Sequence, residues 1–387
     1  MKTSAKKLGT FCKTSSGGTP SRSNNKFFEN GTIPWVKSGE LKARYITKVE
    51  EYITDLAVKE SSARLIEKGS LLIAMYGTTV GEISQLLFDA TTNQAICSIQ
   101  PDEEICDTNY LYRFLEASKQ YLLNRRVGGG QPNISQGVIK DLEIPLPPLS
   151  EQRRIASILD KADELRQKRQ QSIEKLDQLL QATFIDMFGD PVSNPKGWDL
   201  SILGEECDIG TGSTPSRKNL DYFGGNIPWV KSTEVDWGII TNTSETVSED
   251  GQNSARLKIY PKGSIILALY GQGITRGKSA LLGVDATLNQ ACAALVTKKT
   301  ISNYFAYSFL RFSYENLRSQ ARGGNQENLN LNIVKSFPIY LPPKELQEKW
   351  SKIALNIENQ KQKLRDQFDI QNKMFASLQN QAFNGTL

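Results

Sequence analysis

The segment with the strongest look of chemistry is GQGITRGKS at 271–279, which directly follows the strand-like run SIILALY. Glycines before a Lys-Ser pair suggest a phosphate loop, whose backbone N–H groups wrap phosphates while the lysine reaches them. Such a loop needs a glycine five residues before Gly277, and Gln272 stands there. The related segment GTTVGEIS at 77–84 carries Glu82 where this one has Lys278. A variable surface loop is the better reading, and nucleotide binding is not expected. Histidine is absent, which excludes Ser-His-Asp and Cys-His catalysis and HExxH zinc sites in this chain. There is no G-x-S-x-G elbow, and no carboxylate group with metal-ligand spacing; PDEE (101–104) reads as a solvated turn. Asn194-Pro195-Lys196 is not the Asn/Asp-Pro-Pro-aromatic tetrad of an amino-methyltransferase. Cys12, Cys97, Cys106, Cys207 and Cys292 form no CxxC pair and read as reduced and buried.

What could position polar side chains is a duplication at an offset of about 195 residues. LGTFCKTSSGGTPSR (8–22) matches LGEECDIGTGSTPSR (203–217), and IPWVKS occurs at 33–38 and 227–232. GSLLIAMYG (69–77) matches GSIILALYG (263–271), and DATTNQA (89–95) matches DATLNQA (285–291). GGGQPNI (128–134) matches GGNQENL (323–329), and LEIPLPP (142–148) matches FPIYLPP (337–343). So long a period means two folded copies rather than a solenoid, whose repeats run to about 20–50 residues.

Each copy begins with a mixed α/β part of short apolar strands bounded by Gly and Asn/Asp turns. NYLYRFLEASKQYLLNRR (109–126) and NYFAYSFLRFSYENLRSQ (303–320) read as helices, each followed by a glycine-rich loop. A long helix ends each copy. In the first its stripe runs Ile155, Ile158/Leu159, Ala162, Leu165, Ile173, Leu176, Leu179/Leu180, Phe184 and Met187, with a polar break near Arg169. Ser150 with Glu151 can cap its start, and Gly189-Asp190-Pro191 stops it. In the second the stripe runs Leu346, Trp350, Ile353, Ile357, Leu364, Phe368, Met374 and Leu378, with Gln360 at a seam position. About 40 residues at ~1.5 Å make a rod of about 60 Å, and the stripes suggest two helices wound together.

The 387 residues are 39% hydrophobic and 23% charged, enough for two or three domains with their own cores. The net charge of +5 does not by itself announce nucleic acid, and no polybasic tail points to a membrane surface. No apolar run approaches the ~20 residues of a membrane span. MKTSAKKLGTF is followed by no apolar stretch, so a cytoplasmic protein is expected. Trp35 and Trp229, identical in both copies, read as scaffold. Thr19-Pro20-Ser21-Arg22 and Thr214-Pro215-Ser216-Arg217 are polar turns whose arginine fits packing or a phosphate equally well.

The order of globular part, long helix, globular part, long helix resembles the specificity subunit of type I restriction-modification systems. The markers are GGTPSR, IPWVKS, AMYG…NQA, GGGQPNIS and, most specific, IPLPPLSEQRRIASILDKAD; MFGDPVSNPKGW and SLQNQAFNGTL complete the set. The second copy departs from it, with IYLPPKELQEKW in place of PLPPLSEQRRI. The resemblance implies an α/β (α+β) tandem duplication. Its target-recognition domains would be 1–146 and 191–341, and its helical spacers 147–190 and 342–387. It implies that the helices form an antiparallel coiled coil with pseudo-two-fold symmetry and set the spacing of a bipartite, asymmetric DNA site. It further implies a non-catalytic subunit that binds double-stranded DNA, two modification (methyltransferase) subunits and, where present, two restriction (endonuclease/translocase) subunits. S-adenosylmethionine, with ATP and Mg2+ where a restriction subunit is present, would serve those partners, and this chain would bind no cofactor or metal. The competing expectations are a coiled-coil scaffold that binds no DNA and a diverged DNA-modifying enzyme.

Duplication also separates scaffold from readout. Positions that agree between copies hold the fold, and differing loop positions are candidates for reading bases. Three loop pairs stand out: GELKARY (39–45) against TEVDWGI (233–239), GTTVGE (77–82) against GQGITRGK (271–278), and RRVGGGQPN (125–133) against ARGGNQEN (321–328). Arg and Lys suit guanine, and Gln and Asn suit adenine, in the major groove. The candidate DNA contacts of the first copy are Arg22, Lys37, Lys42, Arg44, Tyr76, Thr78, Thr79, Arg125, Arg126, Gln131 and Asn133. Those of the second are Arg217, Lys231, Tyr270, Gln272, Arg276, Lys278, Arg322, Asn325, Gln326 and Asn328.

Overall fold

A computed structural model of the chain describes residues 5–128, 133–271, 273–321 and 328–387. The chain divides into two compact units, Met1–Arg169 with Gln367–Leu387, and Gln170–Asp366. Each long helix, Leu149–Phe188 and Lys344–Asn384, therefore contributes one part to each unit.

Both units carry the same sheets. In the first unit a five-stranded sheet has the order Cys12–Ser16, Ile96–Pro101, Leu71–Ala74, Ile83–Leu86, Tyr45–Ile46. Its pairs are antiparallel except the last, which is parallel. The second unit repeats it as Cys207–Thr211, Cys292–Thr297, Ile265–Ala268, Ser279–Leu282, Ile239–Ile240. A three-stranded sheet accompanies each: Glu51–Ile53, Ile33–Val36, Thr91–Thr92 in one, and Thr246–Val247, Phe223–Val230, Thr287–Leu288 in the other.

The apolar runs of the central strands follow from burial on both faces. Leu71 and Ile73 enter one core and Leu72 and Ala74 the other, as the two-residue period of a strand requires. Ile265 and Leu267 separate from Ile266 and Ala268 in the same way. All five cysteines are buried and free, and burial pushes the Cys97 thiol up to about 12.

Trp35 and Trp229 are buried, and each indole donates to a backbone carbonyl, Gly18 O at 3.0 Å and Ser213 O at 3.1 Å. Trp35→Phe keeps an aromatic ring but removes the indole N–H and its five-membered ring, leaving that carbonyl unpaired and a void beside it. It should cost about 2–4 kcal/mol in urea denaturation, from the lost bond and the void together; an unchanged midpoint would show that this indole is not part of the scaffold.

The expected helices at 109–126 and 303–320 are each broken at a serine. They run Thr108–Ala117 and Lys119–Leu123, and Asn303–Phe312 and Tyr314–Ser319. Ser118 (φ −83°, ψ 0°) shares its N–H between the Phe114 and Leu115 carbonyls, which tightens the turn there.

The first long helix begins at Leu149, so Ser150 and Glu151 lie inside its first turn rather than capping it. Glu151 instead pairs with Arg154. A buried glutamine fastens the start. Gln152 Nε2 donates to the Ile105 and Pro147 carbonyls, both at 2.9 Å, and its Oε1 accepts the Asp107 N–H. Gln347 repeats this with the Pro342 and Thr300 carbonyls and the Ser302 N–H. Their identity at an offset of 195 was the available signal.

The helix stripe packs mainly on the sheet domain of its own unit. Ile155, Ala156 and Leu159 join the core of the first unit, and Leu180, Phe184, Phe188, Trp350, Ala354 and Ile357 that of the second. Phe184 lies 5.3 Å from Trp350 and 5.9 Å from Phe305, ring centre to ring centre. Leu165, Leu179 and Met374, expected in the stripe, are exposed. The two helices run antiparallel and meet through rings, Phe184 and Phe188 on Trp350, as well as through polar pairs. In the first unit Arg166 meets Asn372 at 2.8 Å, and Arg169 meets Gln371 at 2.9 Å as well as Gln367. In the second, Lys361 meets Asp177 at 2.5 Å. Gln360, expected at the seam, is exposed, and the buried polar residue is its neighbour Lys361. Among the described residues no helix is long and apolar enough to cross a membrane.

Candidate nucleic-acid interface

Strand order brings the polar loops to one end of the five-stranded sheet. In the first unit, Cys12–Ser16 and Leu71–Ala74 end there, and Ile83–Leu86 and Ile96–Pro101 begin there. The loops are stitched by backbone bonds: Gly18 N–H to Thr92 O (2.9 Å), Met75 N–H to Ala95 O (2.7 Å) and Ile134 N–H to Met75 O (2.9 Å). Asn133 exchanges both backbone bonds with Val127 and bridges to Tyr76. The second unit uses Ser213 N–H to Leu288 O (3.0 Å), Leu269 N–H to Ala291 O (2.8 Å) and Leu329 N–H to Leu269 O (3.1 Å). Residues distant in sequence, such as Gly18 and Thr92, or Tyr76 and Asn133, are thus brought together in the loops.

Several candidate cations there are occupied. Arg22 pairs with Glu51 at 2.6 Å and lies over the Phe28 and Trp35 rings, while Lys37 reaches Glu50 and Glu51. Arg217 pairs with Glu245 at 2.5 Å over Phe223 and Trp229, and Lys231 reaches the same carboxylate at 2.7 Å. Bonds from Arg217 and then Lys231 hold the Glu245 carboxyl down at about 2, and the bond from Arg22 likewise lowers Glu51. The same triad recurs in both units beside the same tryptophan.

Arg44 turns away from the loops. It binds Asp160 of the first long helix at 2.7 Å and Asn109 at 2.9 Å, and lies over Tyr112. Burial pushes the Asp160 carboxyl up, but its bonds to Arg44 and Arg113 outweigh this and hold it below the ordinary carboxylate range. Lys278 binds Asp236 at 2.6 Å with its side chain only 12% exposed. Glu82, its counterpart, binds Lys119 at 2.7 Å. The segment 271–278 leads into the strand Ser279–Leu282, whereas a phosphate loop opens a helix.

The outward-facing groups are different ones. Tyr76 and Tyr270 are each 39% exposed at the same strand end. Lys42 and Thr78 are exposed, and Thr79 is half-buried with its hydroxyl on the Tyr76 carbonyl. Arg125 and Arg126 are exposed, and neither carries an ion pair among the described residues. Arg125 lies over the Tyr121 ring, and Arg126 donates to the Leu123 carbonyl at 2.8 Å. Arg276 and Asn328 are half-buried in the second unit's loops. Gln131, Gln272, Arg322, Asn325 and Gln326 lie outside the described residues. Among the described residues no cluster of His, Cys, Asp and Glu could hold a metal. An end of a sheet carrying exposed cations and tyrosines on loops fits recognition of a polyanion with readable edges.

Comparison with known proteins bears on the same arrangement. The family model described as "Type I restriction modification DNA specificity domain" matches residues 2–175 and again 195–368. The Type I restriction enzyme MjaIX specificity subunit of Methanocaldococcus jannaschii is 26% identical over 392 residues, covering 93% of this chain and 90% of that protein. The Type I restriction enzyme EcoR124I/EcoR124II specificity subunit of Escherichia coli is 33% identical over 165 residues, 41% of each chain. The crystal structure of the type I restriction-modification S subunit from M. genitalium has the same fold, with a TM-score of 0.62 at 16% identity over 98% of this chain and 95% of that one. With both halves matched, and each match taking in the globular part and the start of its long helix, the chain belongs to the type I restriction modification DNA specificity domain family.

Proposed function

We propose that this chain is the non-catalytic, DNA-recognising subunit of a type I restriction-modification complex. Each globular part, 1–146 and 191–341, reads one half of a bipartite, asymmetric site. The observation that carries this reading is the pairing of one scaffold with two sets of loops. The sheets, the Trp–carbonyl bond and the Arg–Glu–Lys triad recur in both units, while the loops at the sheet end differ in charge and size. Like scaffolds with unlike loops suit two different half-sites better than a palindrome. The partners are double-stranded DNA, two methyltransferase subunits docked through the helices and, where the system restricts, two endonuclease/translocase subunits. S-adenosylmethionine, ATP and Mg2+ are used by those partners.

The chain alone is expected to show no methyltransferase, ATPase or nuclease turnover. Adding the methyltransferase subunits and S-adenosylmethionine should give methylation of adenines within one bipartite motif, read by sequencing methylated DNA. Turnover by the chain alone would favour a diverged enzyme. A complete complex without duplex affinity would favour a scaffold.

A further inference from the structure

We propose that Tyr314 and Arg318 are positioning residues for a base-reading loop: they fix the backbone of 273–278 so that the second unit discriminates its half-site. The proposal rests on the recognition function above. The two side chains stand four residues apart on the helix Tyr314–Ser319 and so share one face. Tyr314 Oη donates to the Ile274 carbonyl at 2.6 Å. Arg318 Nη1 donates to the Arg276 carbonyl at 3.2 Å and to Tyr314 Oη at 2.7 Å, and its Nη2 donates to the Gly273 carbonyl. Trp237 holds Tyr314 edge-on, with ring centres 5.4 Å apart. Three carbonyls of one short loop are thus satisfied by two side chains. Moving the loop would leave those groups in search of new partners. The Ile274 side chain is meanwhile held out in solvent, 67% exposed.

The first unit shows what is scaffold and what is not. Gly277 (φ 87°) lies over the Tyr314 ring, where a Cβ would come within 3.3 Å of it. Gly81 (φ 82°) lies over the matching helix face, where a Cβ would come within 3.3 Å of Lys119 and 3.8 Å of Leu123. The glycine and the helix beneath are kept, while Lys119 and Leu123 replace Tyr314 and Arg318. There the tie is one ion pair between side chains, Lys119 to Glu82. Leucine has no donor, and among the described residues no carbonyl of 77–82 accepts a bond from that helix. The pedestal changes with the loop above it, as expected if loop and pedestal together form one readout module.

The test uses the full chain assembled with its methyltransferase subunits and S-adenosylmethionine on a random-sequence duplex library. The methylated motif is read by sequencing, and the salt dependence of DNA binding is measured in parallel. Arg318→Leu is expected to lower discrimination by about tenfold or more at positions of one half-site, leaving the other half-site, the spacer and the salt slope unchanged. Arg318→Lys should resemble it, because one ammonium cannot span two carbonyls as the forked guanidinium does. Tyr314→Phe, which removes one bond and keeps the ring under Gly277, should give a smaller loss in the same half-site, and it decides the matter if Arg318→Leu does not fold. An unchanged motif in Arg318→Leu would overturn the proposal. So would full recovery in Arg318→Lys together with a salt slope lowered by about one in Arg318→Leu, which would make Arg318 a phosphate contact. A wild-type complex with no sequence preference would overturn the recognition function itself, and it would show without any substitution.

Discussion

Lys361→Ala is expected to destabilise the second unit by about 3–5 kcal/mol in urea or thermal denaturation. Lys361 is fully buried, with its ammonium 2.5 Å from Asp177 Oδ1 and 3.1 Å from Glu358 Oε1. Glu358 is itself 4% exposed and accepts from Arg311 at 3.0 Å, while Arg311 also reaches Asp177 at 2.5 Å. Removing Lys361 leaves two carboxylates sharing a single guanidinium. The cost is that of a buried charge left short of a partner, beyond the value of the lost pair. Lys361→Met with Glu358→Leu should recover most of the loss, because both ends of the pair then become apolar.

Acid sensitivity should change in the same variant. Burial pushes the Asp177 carboxyl up, but the bond to Lys361 and the charge of Arg311 outweigh it and leave the group below its ordinary value. A carboxyl depressed in the folded state contributes stability that is present above its unfolded value, near 4, and is lost as pH falls through the lower folded value. Wild-type stability should therefore fall on acidification below about pH 4, and fall less steeply in Lys361→Ala. A loss under about 1 kcal/mol at neutral pH would mean that the pair behaves as an exposed salt bridge.

Lengthening both long helices should lengthen the non-specific spacer of the methylation motif and leave both half-sites alone. Four added residues contribute ~6 Å and slightly more than one turn, so the apolar stripe stays near register. At ~3.4 Å per base pair the spacer should grow by one or two base pairs. The first insertion belongs between Gln167 and Ser172, where the stripe is interrupted. From the sequence the matching insertion would go near Gln360. The contacts move it: Arg169 meets Gln367 and Gln371, whereas the neighbour of Gln360, Lys361, meets Asp177. An insertion after Asp366 keeps the antiparallel partners matched, and it coincides with the division between the compact units. The readout is the motif of the assembled methyltransferase. An unchanged spacer in a folded, active complex would show that the helices are not the ruler. Changed half-sites would show that the globular parts are not the readers.

The duplication, the central strands, the buried cysteines, the scaffold tryptophans and the two long helices were all legible in the sequence. Each rests on a local period, on composition or on identity between copies, and none needs knowledge of a neighbour. Leu71–Ala74 reads as a buried strand because four apolar residues in a row fill both faces of a sheet. Identity at an offset of 195 also marked the Arg22 and Arg217 turns, though it could not say whether the arginine met a carboxylate or a phosphate.

Only the tertiary structure decided where polar side chains spend their donors. Arg44 and Lys278 have the composition of base readers, yet one is taken by Asp160 and the other by Asp236, 116 and 42 residues away. A helical stripe defines a face without saying what covers it. Leu165 and Met374 are therefore exposed, while Lys361, one residue from the expected seam, is fully buried. The reason is physical: burying apolar surface is non-directional and leaves its pattern in sequence order. A hydrogen bond or ion pair depends on a partner within about 3 Å, and folding brings that partner from anywhere in the chain.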